Sequence, residues 1–423
     1  MRIAQIAARR NEKLWLIGGI VRDAALKREL SDVDIAVKGD TTLLAADVAR
    51  ALGGSFVPLH DDPVTARVVL RGFDFDFAAL RAPAVLGDLL ARDISVNSMA
   101  ASLNPGGIGE ILDPAGGLDD LRRGIVRAIS RDNMLTDPLR ALRLFRFMAQ
   151  LDFRIDPESL EWAREAAGKM NAVAGERIFA ELVKLLETPR AAKALRIARR
   201  GGVLRSIVDA QIEPAWEVIE VFDEWPAARR RLFDDWDELA AAINIGKLFF
   251  DPAVTKAAAL LGSGKDGLQA LKMTLERWKA PKRFCGAVQK IIELQQAVGA
   301  ARESYSNSPD KMRVFAKYTQ EAGNMWFAAV AYALAAAGGS DKGFAAFFHD
   351  LILAYRDVIG VVDAGPPLVN GTRLIRELGL SPGPLVGEVL LRIRQERICG
   401  TVASADEALA VARRLMKETP PDS

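Results

Sequence analysis

A change of period near residue 130 limits the folds open to this chain more than any other feature. Before it, apolar residues gather in short β-like runs at 14–17, 33–37, 66–70, 73–77 and 125–129, separated by Gly, Asp and Pro breaks. Helical stretches at 21–27 and 41–52 lie between them. From Asp137 onward the pattern is helical: in Leu139-Arg140-Ala141-Leu142-Arg143-Leu144-Phe145-Arg146-Phe147-Met148, apolar residues and arginines alternate in blocks of helical period. Breakers punctuate the helices at 262–264, 304–309, 338–340 and 365–367. The pattern predicts an α+β protein with a mixed α/β head over 1–135, a helical neck over 136–200, a helical body over 201–365 and a helical tail over 366–423.

Composition then narrows the chemistry. Lys plus Arg number 57 and Asp plus Glu 55 in 423 residues, a balance of +2, so only local clustering could speak for a nucleic-acid partner. Cys285 and Cys399 are the two cysteines, too few for a disulfide framework or a Cys-based zinc site. With only His60 and His349, His-based triads and His-rich zinc sites lack the residues they need. His349-Asp350 resembles the dipeptide of metal-dependent phosphohydrolases, but no histidine is left to complete such a site, and His349 is read as structural. The longest apolar run, 325–337, has 13 residues, short of the ~20 of a membrane helix. The opening MRIAQIAARRNEK lacks an apolar core or cleavage site, and a cytoplasmic location is expected. Chemistry must run on carboxylates, arginines and backbone.

Those groups concentrate in two segments. Leu16-Ile17-Gly18-Gly19-Ile20-Val21-Arg22-Asp23 reads as strand, double-glycine turn and helix. Glycines without Cβ let a phosphate approach the backbone, the helix start offers N–H groups, and Arg22 adds a cation. Next comes Ser31-Asp32-Val33-Asp34-Ile35-Ala36-Val37. Strand period two puts Asp32 and Asp34 on one face, with Val33 and Ile35 turned to the core. Adjacent carboxylates repel, and a divalent ion relieves them; oxygen ligands of this kind select Mg²⁺ or Mn²⁺. A pair of such ions can activate a hydroxyl and neutralise departing pyrophosphate. Asp74 and Asp76 share a face of the 73–77 run, and Asp76 is taken as the third carboxylate.

The form G-G-I-V-R-D … D-V-D resembles the class II tRNA nucleotidyltransferase and bacterial poly(A) polymerase family. Further blocks resemble it in order: 73–81, the third-carboxylate strand; 91–100 (ARDISVNSMA); Asp113-Pro114 with 116–121; 137–143 (DPLRALR), the family's E-D-x-x-R-x-x-R helix; and Gly175-Glu176-Arg177. Residues 371–388 are similar to its C-terminal segment, whereas 200–365 match nothing quotable.

The resemblance implies roles. Asp32 and Asp34 would bind catalytic metal, assisted by Asp76. Gly18, Gly19 and Arg22 would cradle triphosphate, and Arg92, Asp93 and Asn97 would hold phosphate and ribose. Asp137 and Arg140, with Arg143 a turn further along the same face, would read the incoming base without a nucleic-acid template. Carboxylate and guanidinium together can mimic a Watson–Crick edge. The implied reaction is attack of a tRNA 3′-hydroxyl on the α-phosphate of CTP or ATP. The basic cluster from Arg190 through Arg196, Arg199 and Arg200 would grip RNA phosphates.

Two departures bear on specificity. Thr136 stands where the family has glutamate, and only ten residues, 82–91, lie between Arg81 and Arg92. A shortened segment there is associated in the family with enzymes that add only the two C residues. CC, CCA and poly(A) addition stay open, with tRNA ends ranked first. Outside that range stand a small-molecule nucleotidyltransferase and a catalytically idle RNA-binding relative.

Overall fold

The computed structural model describes residues 1–30, 33–210, 212–243, 250–262 and 267–418. The chain divides into two compact units, Met1–Asp209 and Ala210–Ser423.

In the first unit the strands are β1 (Lys13–Ile17), β2 (Val33–Lys38), β3 (Ser55–Asp61), β4 (Val64–Leu70), β5 (Phe73–Ala79), β6 (Ala100–Asn104) and β7 (Gly107–Leu112). They form one sheet in the order β3-β4-β5-β2-β1-β6-β7. All neighbours are antiparallel except β2 and β5, which run parallel. That parallel pair needs a crossover, supplied by the helix Thr41–Leu52 and the β3–β4 hairpin. Asp40 caps this helix through Leu43 N–H at 2.9 Å, and Gly53, at φ 71°, ends it in the left-handed region.

Alternation along β2 decides what each face carries. Ile35 and Val37 enter a core with Leu44, Ala45 and Val48 of the crossover helix and Phe77 of β5. Each of these side chains apart from Ala45 contributes about 1.5–3 kcal/mol on burial. Ala36 faces the other way, against Val85 and Leu89 of the helix Val85–Leu90. By parity Asp34 lies on that second face. Val33 is half-buried and packs against the first core.

Numbering the helices of this unit in chain order, α1 is Arg2–Arg9, α2 Gly19–Ala25, α3 Thr41–Leu52, α4 Val85–Leu90, α5 Gly117–Arg123, α6 Arg131–Thr136, α7 Leu139–Leu151, α8 Pro157–Ala167, α9 Gly175–Leu186, α10 Ala191–Arg200 and α11 Val203–Ile207. The predicted strand over 125–129 is shorter than its apolar pattern: β8 is Ile125–Val126, paired parallel with β9 (Arg154–Ile155), and Ala128 makes only an isolated bridge to Ile94. Arg127 is drawn off to the Ala115 carbonyl and Asp120, both at 2.7–2.8 Å. Helix α7 buries nine of its 13 residues, among them Leu142, Leu144 and Phe145, against α8, α9 and α10.

Among its described residues the regular elements of the second unit are all helices. Its core centres on Trp326–Ala336, packed on Lys282–Asn307, with Trp225, Trp236, Phe327 and Phe348 in a chain of successive ring contacts. The helices Gly371–Leu378, Pro384–Ile398 and Ala405–Glu418 build a smaller core around Leu374, Val389 and Leu409. Arg313 clamps Glu396 of that group with bonds of 3.0 and 3.2 Å. The expected mixed head followed by helices is therefore the observed fold class.

Candidate active site

The site grows from the end of β1. The chain turns at Gly18, where φ is +72° and ψ −127°, a conformation that a side chain would strain. The same position has no room: a Cβ there would lie 3.1 Å from Nη1 of Arg92, 3.8 Å from the Asn97 carbonyl oxygen and 4.0 Å from Oδ2 of Asp34. One small volume at the glycine corner is thus shared by a guanidinium and a carboxylate from distant parts of the sequence. Gly19, beside it, would meet Nη2 of Arg22 at 3.5 Å.

Both arginines at this corner are braced by neighbouring side chains. Arg92 gives Nε and Nη2 to the buried carboxylate of Asp88, at 3.3 and 3.1 Å, which leaves Nη1 directed at the corner. Asp88 also accepts the Arg81 N–H at 3.0 Å. Asn133 ties the loop down by donating to the carbonyls of Leu90 and Arg92. Arg22 is only 5% exposed; it donates to Asn97 Oδ1 at 2.6 Å and bridges Asp23 at 2.7 and 2.9 Å. As placed, Arg22 locks α2 to the 95–97 turn rather than reaching outward.

Helix α7 supports the same loop from the neck. Arg140 donates to the Arg92 carbonyl at 3.0 Å and lies 3.9 Å from Asp137. Arg143 grips Asp93 at 2.6 and 2.7 Å. Burial pushes the Asp93 carboxyl up, but the Arg143 guanidinium outweighs it and holds the group below the usual carboxylate range. Burial lowers Arg140; burial lowers Arg143 too, but Asp93 and Glu181 together outweigh it and raise that guanidinium. Phe147 carries three cations over its ring, Arg22, Arg143 and Arg146 at 5.9, 5.6 and 3.9 Å. Arg177 reaches Asp137 at 2.8 Å.

The acidic residues sort by strand register. Asp34 on β2 is opposite Asp76 on β5, in parallel pairing, so both project from the α4-side face. Asp32 lies outside the described residues. Among the described residues no cluster of three metal-ligating side chains forms. Asp34 and Asp76 are hard oxygen donors on neighbouring strands beside a guanidinium-lined corner, a donor set that fits Mg²⁺ or Mn²⁺ rather than a softer metal. Arg196 and Arg199 of α10 are half-buried and engaged with neighbours, and Arg200 is exposed. His349 lies in the second unit, stacked on Phe233 with Nε2 3.3 Å from Asp235.

Four residues of this region carry no signal in the motifs. Asp88, Asn133 and Glu181 are braces whose partners sit 4 to 43 positions away. Arg67 on β4 grips both oxygens of Asp76. Its parity on a strand opposite Asp76 was the available clue.

A mixed sheet whose glycine corner sets a strand carboxylate against Arg92, on a loop held by arginines of the following helical neck, defines a nucleotidyltransferase-type head. Comparison with known proteins agrees. Residues 14–127 match the poly A polymerase head domain, and 152–212 match the probable RNA- and SrmB-binding site of polymerase A. A CC-adding tRNA nucleotidyltransferase of Synechocystis sp. is 30% identical over 404 residues, covering 95% of this chain and 93% of that protein. An A-adding tRNA nucleotidyltransferase of Deinococcus radiodurans is 28% identical, covering 96% of each. The solved Thermotoga maritima CCA-adding enzyme, complexed with tRNA, superposes with a TM-score of 0.66 at 24% identity, covering 98% of this chain and 94% of that one. The chain belongs to the tRNA nucleotidyltransferase and poly(A) polymerase family, an enzyme family that generally uses divalent metal ions.

Proposed function

We propose that this protein adds C and/or A nucleotides from CTP or ATP to the 3′ end of tRNA, releasing pyrophosphate. The observation that carries the reading is the glycine corner, where Asp34 and Arg92 converge on the space that a Cβ at Gly18 would fill. In this reading Asp32 and Asp34 hold Mg²⁺ or Mn²⁺, with Asp76 as a third carboxylate. When bound, such ions supply positive charge to the attacking hydroxyl and to the pyrophosphate.

The remaining work falls to the chain itself. Gly18 and Gly19 leave the backbone bare for the triphosphate, and Arg92, fixed by Asp88, meets a phosphate with its remaining nitrogen. Asn97, oriented by Arg22, and Asp93, oriented by Arg143, border the phosphate and ribose. Asp137 and Arg140 present an acceptor and a donor to the base; Arg140's bond to the Arg92 carbonyl keeps the base site in register with the phosphate site. Because the groups are braced before substrate arrives, little reorganisation is needed in the transition state.

Segment 82–91 is a three-residue link followed by α4 and Ala91, which leaves no long loop beside the corner. That economy favours C addition over completion with A. The basic face of α10, with Arg196, Arg199 and Arg200, serves RNA phosphates. The head is assigned to 1–135, the neck to 136–200, the body to 201–365 and the tail to 366–423. No described helix is long and apolar enough to cross a membrane, and a cytoplasmic site of action suits a tRNA substrate.

The test is incorporation of labelled CTP or ATP with Mg²⁺ into tRNA ending at the discriminator base, tRNA ending in CC, and an unstructured RNA. C addition to the first substrate alone is expected. Labelling of the unstructured RNA by ATP would support polyadenylation instead. No incorporation into any of the three would leave an RNA-binding role.

A further inference from the structure

Arg67 has no part in the mechanism above, yet it stands at the end of its acidic row. It faces Asp76 across the antiparallel β4–β5 pair, and Asp76 faces Asp34 across the parallel β5–β2 pair. Three consecutive strands therefore set a guanidinium, a carboxylate and a second carboxylate side by side on one face. Arg67 donates Nε to Asp76 Oδ1 at 2.7 Å and Nη2 to Asp76 Oδ2 at 2.8 Å, and its Nη1 reaches Asp74 Oδ2 at 2.6 Å. Both oxygens of Asp76 are engaged by one planar fork, the arrangement in which a guanidinium binds a carboxylate most firmly.

We propose that Arg67 is a positioning residue that acts as an internal counter-cation. It holds Asp76 when no divalent ion is present and competes with the ion for that carboxylate. The inference rests on the reading that Asp34 belongs to a divalent-ion site. Like charges on neighbouring strands repel, and a fixed cation next to Asp76 relieves that repulsion in the metal-free protein. The same fork occupies oxygens of Asp76 that a metal would use. Arg67 thereby weakens binding of a free ion and leaves full ligation to the moment when substrate phosphates add their own oxygens.

Mn²⁺ binding to the full-length protein without nucleotide, read from the electron paramagnetic resonance of free Mn²⁺, tests this. Arg67→Gln should bind Mn²⁺ roughly tenfold more tightly, the size expected for removing one unit charge several ångströms from a divalent ion in a half-exposed site. Its metal-free melting temperature should fall, and Mn²⁺ should restore it. The double variant Arg67→Gln/Asp76→Asn should return to about wild-type affinity, because the gain comes from the released carboxylate. Unchanged or weaker binding by Arg67→Gln, or a gain that persists in the double variant, overturns the proposal. If Arg67→Gln fails to fold, Arg67→Lys carries the test: charge stays, the fork is lost, and a smaller gain of about threefold is expected, its absence counting against the proposal. Asp34→Asn separates the two levels. Wild-type binding that survives Asp34→Asn refutes the metal-site reading itself. Binding lost in Asp34→Asn but unaltered in Arg67→Gln refutes only the role of Arg67.

Discussion

Replacing Arg143 by methionine removes a cation while keeping most of the side chain's volume, and it isolates the contact that ties the neck to the head. Arg143 places Nε and Nη2 within 2.7 and 2.6 Å of Asp93 Oδ2, and Asp93 is 8% exposed. Breaking a fully buried pair by removing one partner costs about 3–5 kcal/mol. Two features reduce that here: the Arg143 side chain is 32% exposed, so water can enter, and Asp93 keeps the Ile94 N–H at 3.0 Å. The expected loss is about 2–3 kcal/mol, or ~5–10 °C in melting temperature for a unit of this size. The loss should depend on pH. In the wild-type protein the lowered carboxyl contributes stability above its unfolded value of 3.8 and loses it as pH falls. In Arg143→Met burial is opposed only by backbone N–H bonds and the more distant Arg140 charge, so the Asp93 carboxyl moves up and its contribution to stability above about pH 4 is lost. The gap between the two proteins should therefore widen from about pH 4 to about pH 7. Thermal melts across that range, followed by circular dichroism, provide the measurement. A gap that is constant with pH, or below about 1 kcal/mol at neutral pH, would refute the assignment of Arg143 as the counter-ion that keeps Asp93 charged.

Gly18→Val should cost about 1–3 kcal/mol through its positive φ and lower CTP incorporation at least about tenfold, since its side chain would fill the space shared by Arg92 and Asp34; a fully active variant would remove the corner from the phosphate site. Arg140→Leu should blur the choice between CTP and ATP in a competition assay, and an unaltered ratio would assign Arg140 to bracing alone. In the second unit, bonds from Arg313, opposed by burial and aided by Thr401, pull the Glu396 carboxyl down to about 2. Glu396→Gln should then destabilise by about 2 kcal/mol near neutral pH. A carboxyl lowered in the fold contributes fully above its unfolded value of 4.5 and loses that contribution as pH falls toward 2; wild-type and variant melting temperatures should converge over that interval.

Much of the head was legible because its signals are local. The period-two runs at 33–37 and 73–77 became β2 and β5, and the acidic residues within them kept the face that parity assigned. The 41–52 stretch became α3 with the same bounds. The run at 125–129 was misjudged in length because apolar alternation does not reveal that Arg127 is claimed by Asp120 and the Ala115 carbonyl. Arg22 illustrates a second limit. As a residue type it suits a phosphate, yet its donors are taken by Asp23 and Asn97, the latter 75 positions away.

The sequence by itself determined that the chain has a strand-bearing head, that carboxylates and glycines gather near its start, and that arginines line the first helix of the neck. Periodicity, turn chemistry and residue type act over a few positions, so they can be read along the chain. Only the tertiary structure decided that Asp34 and Asp76 are strand neighbours, that Arg67 holds Asp76, and that Asp88, Arg140 and Arg143 fix the loop from 92 to 97. A buried charge needs a partner within hydrogen-bond reach, but that partner can come from any point in the chain that folding brings there.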